Sequence, residues 1–255
     1  MGLRPIAAVA LSAAISAAGR QAGALSNDGA LAACGVGSAI LWRTGWRGAA
    51  LLGAFFLSAS LLSQRRNDVD EVARGSRRDA VQVVANGGVA ACVSLLSRRN
   101  GVTLAAGSLA AATADTWATE IGRTSATPPR MLLARTVAPA GTSGAVTRRG
   151  TVGAVLGAAL IGLMHLGGGR RDRTAVRQSL AVVAGGIAGT LVDSVLGEKL
   201  QERRFCASCG VATESKVHRC GSVTEHVGGV AGLNNDVVNG VCTLAGAMVA
   251  GVLGR

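Results

Sequence analysis

Hydrophobic segments alternate with short polar loops along almost the whole chain. Several of these segments fall short of the ~20 residues that a membrane-spanning helix prefers, and the short ones are rich in Ala and Gly. The pattern predicts an all-α fold, a polytopic membrane helical bundle of six to eight transmembrane helices, within a single integral membrane domain over residues 1–255. Eight is the most natural count, from the apolar segments Pro5–Ala18, Gly29–Trp42, Gly48–Leu62, Ala80–Leu96, Val102–Ala114, Gly150–Leu166, Leu180–Leu196 and Gly228–Leu253.

The composition supports a bundle of closely packed helices. Mean hydropathy is +0.40 and 49% of the residues are hydrophobic, which excludes an ordinary soluble domain. The chain has 37 glycines, and small residues let helices approach closely in lipid. Gly153 with Gly157, and Gly185 with Gly189, have the small-xxx-small spacing of such contacts.

The net charge of +12 raises the question of a nucleic acid partner. The arginines, however, are spread over nearly every loop, without a compact basic domain or interleaved aromatic residues. Contact with anionic lipid headgroups explains this distribution better. We therefore expect a lipid bilayer as partner and no nucleic acid.

The polar motifs fall in alternate loops, chiefly Gln64–Asp79, Thr116–Arg149 and Gly197–Val227. Under the eight-helix count these loops share one face of the membrane, which suggests a single shared site. Lys and Arg are more numerous on this face, so the positive-inside rule predicts that the motif loops are cytoplasmic (or stromal).

Two acids, Asp115 and Glu120, end an otherwise uncharged apolar segment. Intramembrane acids usually face a protein interior or a wet cavity and serve a function. Five residues in a helix turn through about 500°, so the two side chains lie about 140° apart. They line two walls of one cavity, or residues Thr116–Gly122 unwind. The structural alternative is a helix end with Glu120 simply solvated.

Two further acids, Asp193 and Asp236, lie at helix mouths in the same set of loops. Asn235 and Asn239 are four residues apart and would share a helix face. Asp115, Asp193 and Asp236 make a candidate Mg²⁺ site, since Mg²⁺ prefers hard oxygen ligands together with a phosphate. The alternative is that such acids are helix N-caps or partners in interhelix hydrogen bonds.

Four elements of the same loops are candidates for binding phosphate. Arg78 and Arg130 offer guanidinium groups, and the Gly-Thr-Ser-Gly turn offers the hydroxyls and backbone N–H groups of Thr142 and Ser143. The alternative is that this turn is an ordinary surface turn. Asn86, followed by two glycines, either opens the helix so that N–H groups face an anion, or marks close helix packing.

A polar Cys-containing loop, residues 198–228, is inserted between the last two helices. Cys206-x2-Cys209 is followed by His218-x-Cys220, a spacing that resembles half of a small zinc site. Cys206, Cys209, Cys220 and one histidine could complete a tetrahedral site. A disulfide or free thiols are the alternatives.

The motifs, in this order, resemble an integral membrane protein family of long-unknown function that includes the animal transmembrane protein nineteen and the plant phytyl-phosphate kinase. More faintly, the chain resembles CTP-using membrane kinases and cytidylyltransferases. The family resemblance covers about residues 55–245 and rests on Gln82–Gly88, Ala114–Gly122, Pro129-Arg130, Pro139–Gly144, Asp193–Gly197 with Gln201, and Leu233–Asn239, together with the Cys206/Cys209/Cys220 loop.

This resemblance implies a membrane-embedded kinase that converts an isoprenoid monophosphate, such as phytyl or prenyl phosphate, to its diphosphate with a nucleoside triphosphate and Mg²⁺. Asp115, Asp193 and Asp236 would be metal ligands, and Glu120 would orient the attacking group. Phosphate-binding residues would be Arg78, Asn86, Arg130, Thr142, Ser143, Asn235 and Asn239. A multi-pass transporter and a non-catalytic membrane protein with a zinc-stapled loop are the alternatives.

Overall fold

A computed structural model describes residues 4–64, 77–97, 99–169, 172–213 and 215–255. Within these residues the chain forms seven α-helices and five short β-strands. The helices are α1 (Pro5–Gln21), α2 (Asn27–Gln64), α3 (Ala80–Leu96), α4 (Gly101–Gly122), α5 (Arg148–Gly167), α6 (Arg173–Lys199) and α7 (Asn235–Leu253). The strands are β1 (Arg130–Met131), β2 (Ala145–Val146), β3 (Arg203–Cys206), β4 (Val211–Thr213) and β5 (Glu225–Gly228).

Helix α2 contains two of the eight predicted segments, joined at a sharp bend. Gly45 at the bend has φ 64° and ψ −155°, a backbone conformation that favours glycine. A Cβ atom placed on Gly37 would lie only 4.0 Å from Cδ2 of Leu52, whereas fifteen residues of straight helix span about 22 Å. The two halves therefore fold back on each other, and the predicted loop Arg43–Arg47 is reduced to a kink.

Helix α4 lies at the centre of the bundle and packs against α2, α3, α5, α6 and α7. Every residue from Ala105 to Ala114 is buried. Because all sides of this helix meet another helix, its Ala, Gly, Ser and Thr residues keep five neighbours close to its axis. Among the described residues, four helical stretches are long and apolar enough to cross a membrane, and α4 is not one of them: Asn27–Ser63, Arg148–Gly167, Arg173–Lys199 and Asn235–Leu253.

Glycines form the tightest contacts between these helices. A Cβ atom on Gly246 of α7 would lie 2.5 Å from the carbonyl oxygen of Gly107, and one on Gly185 of α6 would lie 2.5 Å from that of Gly246. A Cβ atom on Gly153 would likewise lie 2.7 Å from the carbonyl oxygen of Trp117, and one on Gly189 would lie 2.7 Å from that of Cys242. The small-xxx-small pairs therefore do mark helix interfaces, as the sequence predicted.

Several helix boundaries differ from those expected. The segment from Thr116, expected to open a loop, remains helical up to Gly122, so the alternative of unwinding at Asp115 and Glu120 is wrong. Helix α6 likewise continues to Lys199, whereas α7 begins only at Asn235. Hydropathy missed the end of α4 because the polar residues there face a cavity.

The polar segments outside the helices form two small sheets. In the α4–α5 connection, β1 pairs antiparallel with β2, with Arg130 opposite Val146. In the Cys-containing segment between α6 and α7, the antiparallel strand order is β4-β3-β5. The all-α bundle thus carries a small sheet at the end where α6 stops and α7 starts.

Candidate functional site

A polar cavity of about 520 Å³ lies at one end of the bundle, where α4 and α6 finish and α3 and α7 begin. Its walls come from these helices, the end of α2 and the α4–α5 connection. Seven of the residues singled out in the sequence line it: Arg78, Asp115, Glu120, Thr142, Ser143, Asp193 and Asn235. The polar motifs therefore meet in one place.

The carboxyl groups of Asp115 and Asp193 are hydrogen-bonded to each other inside this cavity. Helix packing accounts for the pairing. Gly189 of α6 touches Ala111 of α4, and the two aspartates lie one helical turn further along the same two helices. The thiol of Cys242 on α7 is close enough to both carboxylates to interact electrostatically.

Glu120 and Arg78 lie on the opposite side of α4 from this pair. The hydroxyl of Ser63 donates a hydrogen bond to Oε1 of Glu120 (3.0 Å). Nη1 of Arg78 donates to Oγ of Ser60 (2.8 Å), and its guanidinium carbon lies 5.6 Å from the centre of the Phe56 ring. Arg78 and Glu120 also attract each other electrostatically. Asp115 and Glu120 thus line different walls of one cavity.

The backbone of Arg78 is fixed by the connection between α1 and α2. Its N–H donates to the carbonyl of Ala24 (3.0 Å), and its carbonyl accepts from the N–H of Ser26 (3.0 Å). Gly29 packs so closely that a Cβ there would lie 2.1 Å from the Arg78 carbonyl oxygen. The next residue, Asp79, forms a capping box with Gln82 and starts α3. Arg78 therefore enters the cavity from a rigid support.

The Gly-Thr-Ser-Gly turn is pressed against the end of α6. Gly144 has φ 79°, and a Cβ there would lie 2.6 Å from the carbonyl oxygen of Ser194. Glu198, one turn after Ser194, accepts hydrogen bonds from the N–H groups of Leu133 (2.7 Å) and Ala134 (3.0 Å). Glu198 thereby anchors the α4–α5 connection. We did not single it out in the sequence, and its i+4 spacing from Ser194 is the signal that would have found it.

Three predicted phosphate-binding residues lie outside the lining of the cavity. The guanidinium of Arg130 donates to the carbonyl of Arg135 (3.0 Å) on the exposed surface. Asn239 lies one turn further into α7 than Asn235. Asn86 donates from Nδ2 to the carbonyl of Gln82 (3.0 Å) within an unbroken α3.

The first glycine after Asn86, Gly87, serves helix packing. A Cβ atom on Gly87 would lie 2.9 Å from Val36 of α2. The alternative in which α3 opens here to present N–H groups is wrong, because the helix continues to Leu96.

Asp236 is 5% exposed in the first turn of α7, directly after Asn235 of the cavity wall. Asn234 rather than Asp236 is the N-cap: its side chain accepts from the N–H of Val237 (3.0 Å). Since α7 runs antiparallel to α6, Asp236 lies at the same end of the bundle as Asp115 and Asp193.

An apolar groove of about 150 Å³ adjoins the polar cavity. It runs between α1, both halves of α2 and α3, past Leu11, Ile15, Leu52 and Phe56. Arg78 and Gln82 belong to the walls of both the groove and the cavity. Trp46 and Ile15 are 63% and 59% exposed, so the groove is open on the outside of the bundle.

A second cluster lies outside the helices, in the β3–β5 sheet. The ligand atoms of Cys206, Cys209, His218 and Cys220 all lie within 4.8 Å of one another. Hydrogen bonds from Ser222 and His218 lower the pKa of the Cys220 thiol to about 5. The four residues expected to form a metal site are therefore brought together.

The sheet is tied to the start of α7 through Glu202. Its carboxylate accepts from the N–H of Gly232 (2.9 Å) and pairs with Arg204, and its own N–H donates to the carbonyl of Leu233 (2.8 Å). These interactions, with the Gly232 N–H first, hold the pKa of Glu202 below its usual range. Gln201, the preceding residue, lines the polar cavity.

The family described as Integral membrane protein DUF92 matches residues 10–247. The chain belongs to this family. It is thus an integral membrane protein, as the sequence resemblance indicated.

Two relatives are similar over most of their length. Protein PGR of Arabidopsis thaliana is 30% identical over 237 residues, which cover 80% of this chain and 81% of the relative. An uncharacterized membrane protein of Methanocaldococcus jannaschii is 32% identical over 218 residues, covering 82% and 84%. No solved structure matches the chain.

Proposed function

We propose that this DUF92 protein is a membrane-embedded kinase that phosphorylates an isoprenoid monophosphate to the diphosphate, with a nucleoside triphosphate as donor. The observation that carries the proposal is the polar cavity with its Asp115–Asp193 pair, joined through Arg78 to an apolar groove. A lipid phosphate has the same two parts, a charged head and an apolar tail.

The polar cavity suits the transfer of a phosphoryl group. Its volume of about 520 Å³ falls in the range of small-molecule sites, roughly 300–1,000 Å³. Phosphoryl transfer requires chiefly positioning and charge stabilisation. Arg78, which lines the cavity, would bind phosphate oxygens of the acceptor. The Thr142 hydroxyl, also on the cavity wall, donates to the Pro139 carbonyl (2.8 Å), so it would have to exchange that bond for one to phosphate.

The donor set fits Mg²⁺. Two carboxyl groups in direct hydrogen-bonding contact need a shared proton or a cation between them, because like charges at that separation repel. Asp115 and Asp193 would hold the ion, and Asp236 would support it from α7. When bound, Mg²⁺ neutralises charge on the transferring phosphates.

Glu120 would act on the acceptor phosphate. It is held by Ser63 and lies near Arg78, on the wall where the apolar groove joins the cavity. A carboxylate in this position would accept a hydrogen bond from the P–OH group of the acceptor and so orient that oxygen towards the centre of the cavity.

The apolar groove suits an isoprenoid chain. It is lined by Leu, Ile and Phe side chains between three helices, and it opens on the outer surface of the bundle at Ile15 and Trp46. A chain entering from the bilayer would bring its phosphate to Arg78, the basic residue shared by groove and cavity.

The test is transfer of labelled γ-phosphate from CTP or ATP to phytyl, geranylgeranyl and farnesyl phosphate, with purified detergent-solubilised protein and Mg²⁺. We expect transfer to at least one acceptor and a loss of at least about 100-fold in Asp115→Asn.

Asp172→Asn is the matched control. Asp172 caps α6 at the end opposite the cavity, where Asn caps equally well, so activity should persist. Absence of transfer to all three acceptors, from a monodisperse wild-type sample, would overturn the kinase and favour cation transport.

A further inference from the structure

We infer that the segment between α6 and α7 is a structural zinc site, with Cys206, Cys209, His218 and Cys220 as its four ligands. The inference does not depend on the proposed kinase activity. It rests on the geometry of the sheet and on the small number of side chains that are buried within it.

The four ligands come from two turns, each of which ends in a glycine with a positive φ. In the first, Cys206 and Cys209 precede Gly210, which has φ 69° and donates its N–H to the Cys206 carbonyl (2.8 Å). In the second, His218 and Cys220 precede Gly221, which has φ 84° and donates to the His218 carbonyl (2.9 Å). Each turn presents two ligands to the same point.

The two turns are held together outside the ligand cluster. The hydroxyls of Ser208 and Ser222 lie 2.9 Å apart, joining the two turns. The second turn is closed further by the pairing of Val217 with Val223. The ligands are therefore positioned by backbone and serine contacts.

The distances match a tetrahedral zinc ion. With Zn–S bonds of about 2.3 Å, two sulfur ligands of a tetrahedron lie about 3.8 Å apart. Sγ of Cys206 and Sγ of Cys220 lie 3.6 Å apart, and Nδ1 of His218 lies 3.2 Å from Sγ of Cys220. A disulfide would need about 2.05 Å and would leave two of the four ligands unused.

The sheet lacks a hydrophobic core that would stabilise it otherwise. Among the described residues of 203–228, only Cys206, Thr213 and Thr224 are buried. Val217, Val223 and Val227 are 56%, 77% and 59% exposed. Small units of this kind usually depend on a disulfide or a metal ion, and the geometry here matches the metal.

The chemistry of the ligands selects the metal and its role. Three thiolates and one imidazole favour Zn²⁺ over Mg²⁺ or Ca²⁺, which prefer oxygen. Four protein ligands fill the tetrahedron and leave no position for substrate, which is typical of structural sites. Through Glu202, the site would hold the start of α7 and its Asn235 at the cavity.

The test is the metal content of the purified full-length protein in detergent, measured by inductively coupled plasma mass spectrometry. We expect about one zinc ion per chain, and X-ray absorption showing three sulfur and one nitrogen ligand. Cys206→Ser and Cys220→Ser should lower zinc affinity more than about tenfold. Cys92→Ser is the matched control, since Cys92 is an exposed thiol of α3, and it should keep its zinc.

Wild-type protein decides the question even where a variant fails to fold. Monodisperse wild type that contains no zinc after purification with added ZnCl₂ would overturn the inference. So would a mass two hydrogens lower than the reduced chain, which would show a disulfide, or equal zinc in Cys220→Ser and wild type.

Discussion

The polar cavity and the Cys/His cluster lie at the same end of the molecule but are assembled in different ways. The cavity collects Arg78, Asp115, Asp193 and Asn235 from four parts of the chain, through the packing of helices. The cluster takes its four ligands from fifteen consecutive residues, Cys206–Cys220, through two short turns. The first site depends on the whole bundle and the second on local backbone geometry, so substitutions in the cavity should leave the Cys/His cluster intact.

The largest expected effect is on the carboxylate pair. Asp193→Asn should reduce phosphoryl transfer at least about 100-fold, as is also expected for Asp115→Asn, because each removes one carboxyl group of the pair. The double variant should be little worse than either single one, since residues that act as a unit are not additive. Initial rates at saturating nucleotide measure this.

Zinc content is the companion measurement for these variants. Both aspartate variants should keep the zinc of wild type, because Asp115 and Asp193 lie on helices α4 and α6, whereas the four Cys/His residues lie in the segment between α6 and α7. Multiplicative losses in the double variant would mean that the two carboxylates act separately, and zinc loss in either would mean that the two sites are coupled.

The next effect concerns helix packing beneath the cavity. Gly246→Ala should lower the free energy of unfolding by about 1–3 kcal/mol, because its methyl group would meet the Gly107 carbonyl oxygen at 2.5 Å. Gly240→Ala, on the same helix, has no atom within 4 Å of its new Cβ and should be neutral or gain up to about 1 kcal/mol. Thermal unfolding in detergent compares the pair. Equal midpoints would refute the close packing of α7.

A smaller effect is expected on the choice of lipid chain. Gly53 lines the apolar groove with open space above it, so Gly53→Leu should partly fill the groove. We expect kcat/KM for phytyl phosphate to fall about tenfold relative to that for a short-chain acceptor. Gly35→Leu is the control, because Gly35 lies on the same helix, exposed and outside the groove. An unchanged ratio for Gly53→Leu would remove the groove from the proposal.

The smallest effect tests the connection between the two regions. Glu202→Gln should lower the unfolding midpoint by a few degrees at pH 7, because it weakens the bonds to Gly232 and Arg204. A carboxylate with a lowered pKa stabilises the fold above its unfolded pKa of about 4.5, and this contribution is lost as pH falls through the folded pKa. Wild type and variant should therefore converge below that pH. A constant difference at all pH values would show that the charge is not the cause.

Helix positions were predictable because lipid requires long apolar segments, and the eight segments correspond to the seven helices with α2 bent at Gly45. The ends of the helices were harder to predict. Thr116–Gly122 reads as a loop, yet it stays helical because its polar side chains face a cavity formed by other helices. Similarly, Asn86-Gly87-Gly88 permits a helix break or a packing contact, and only Val36 of α2, which meets Gly87, decides between them.

The two candidate sites differ in the same way: one is formed by residues close in the chain and the other by residues that packing brings together. The clustering of Cys206, Cys209, His218 and Cys220 was predictable from the sequence, because turn geometry relates residues that are close in the chain. Arg130 and Glu198 were misjudged or missed, since whether a loop side chain enters the cavity or anchors the loop depends on where that loop packs.

By itself, then, the sequence determined that this is a polytopic helical membrane protein with acids near one face and a compact Cys/His cluster, because burial in lipid and turn geometry act over short stretches of chain. Only the tertiary structure decided that Asp115 faces Asp193, that Glu120 and Arg78 share the other wall, and that an apolar groove adjoins them. Those relations depend on the register between helices, and that register is set by which small residues meet in three dimensions.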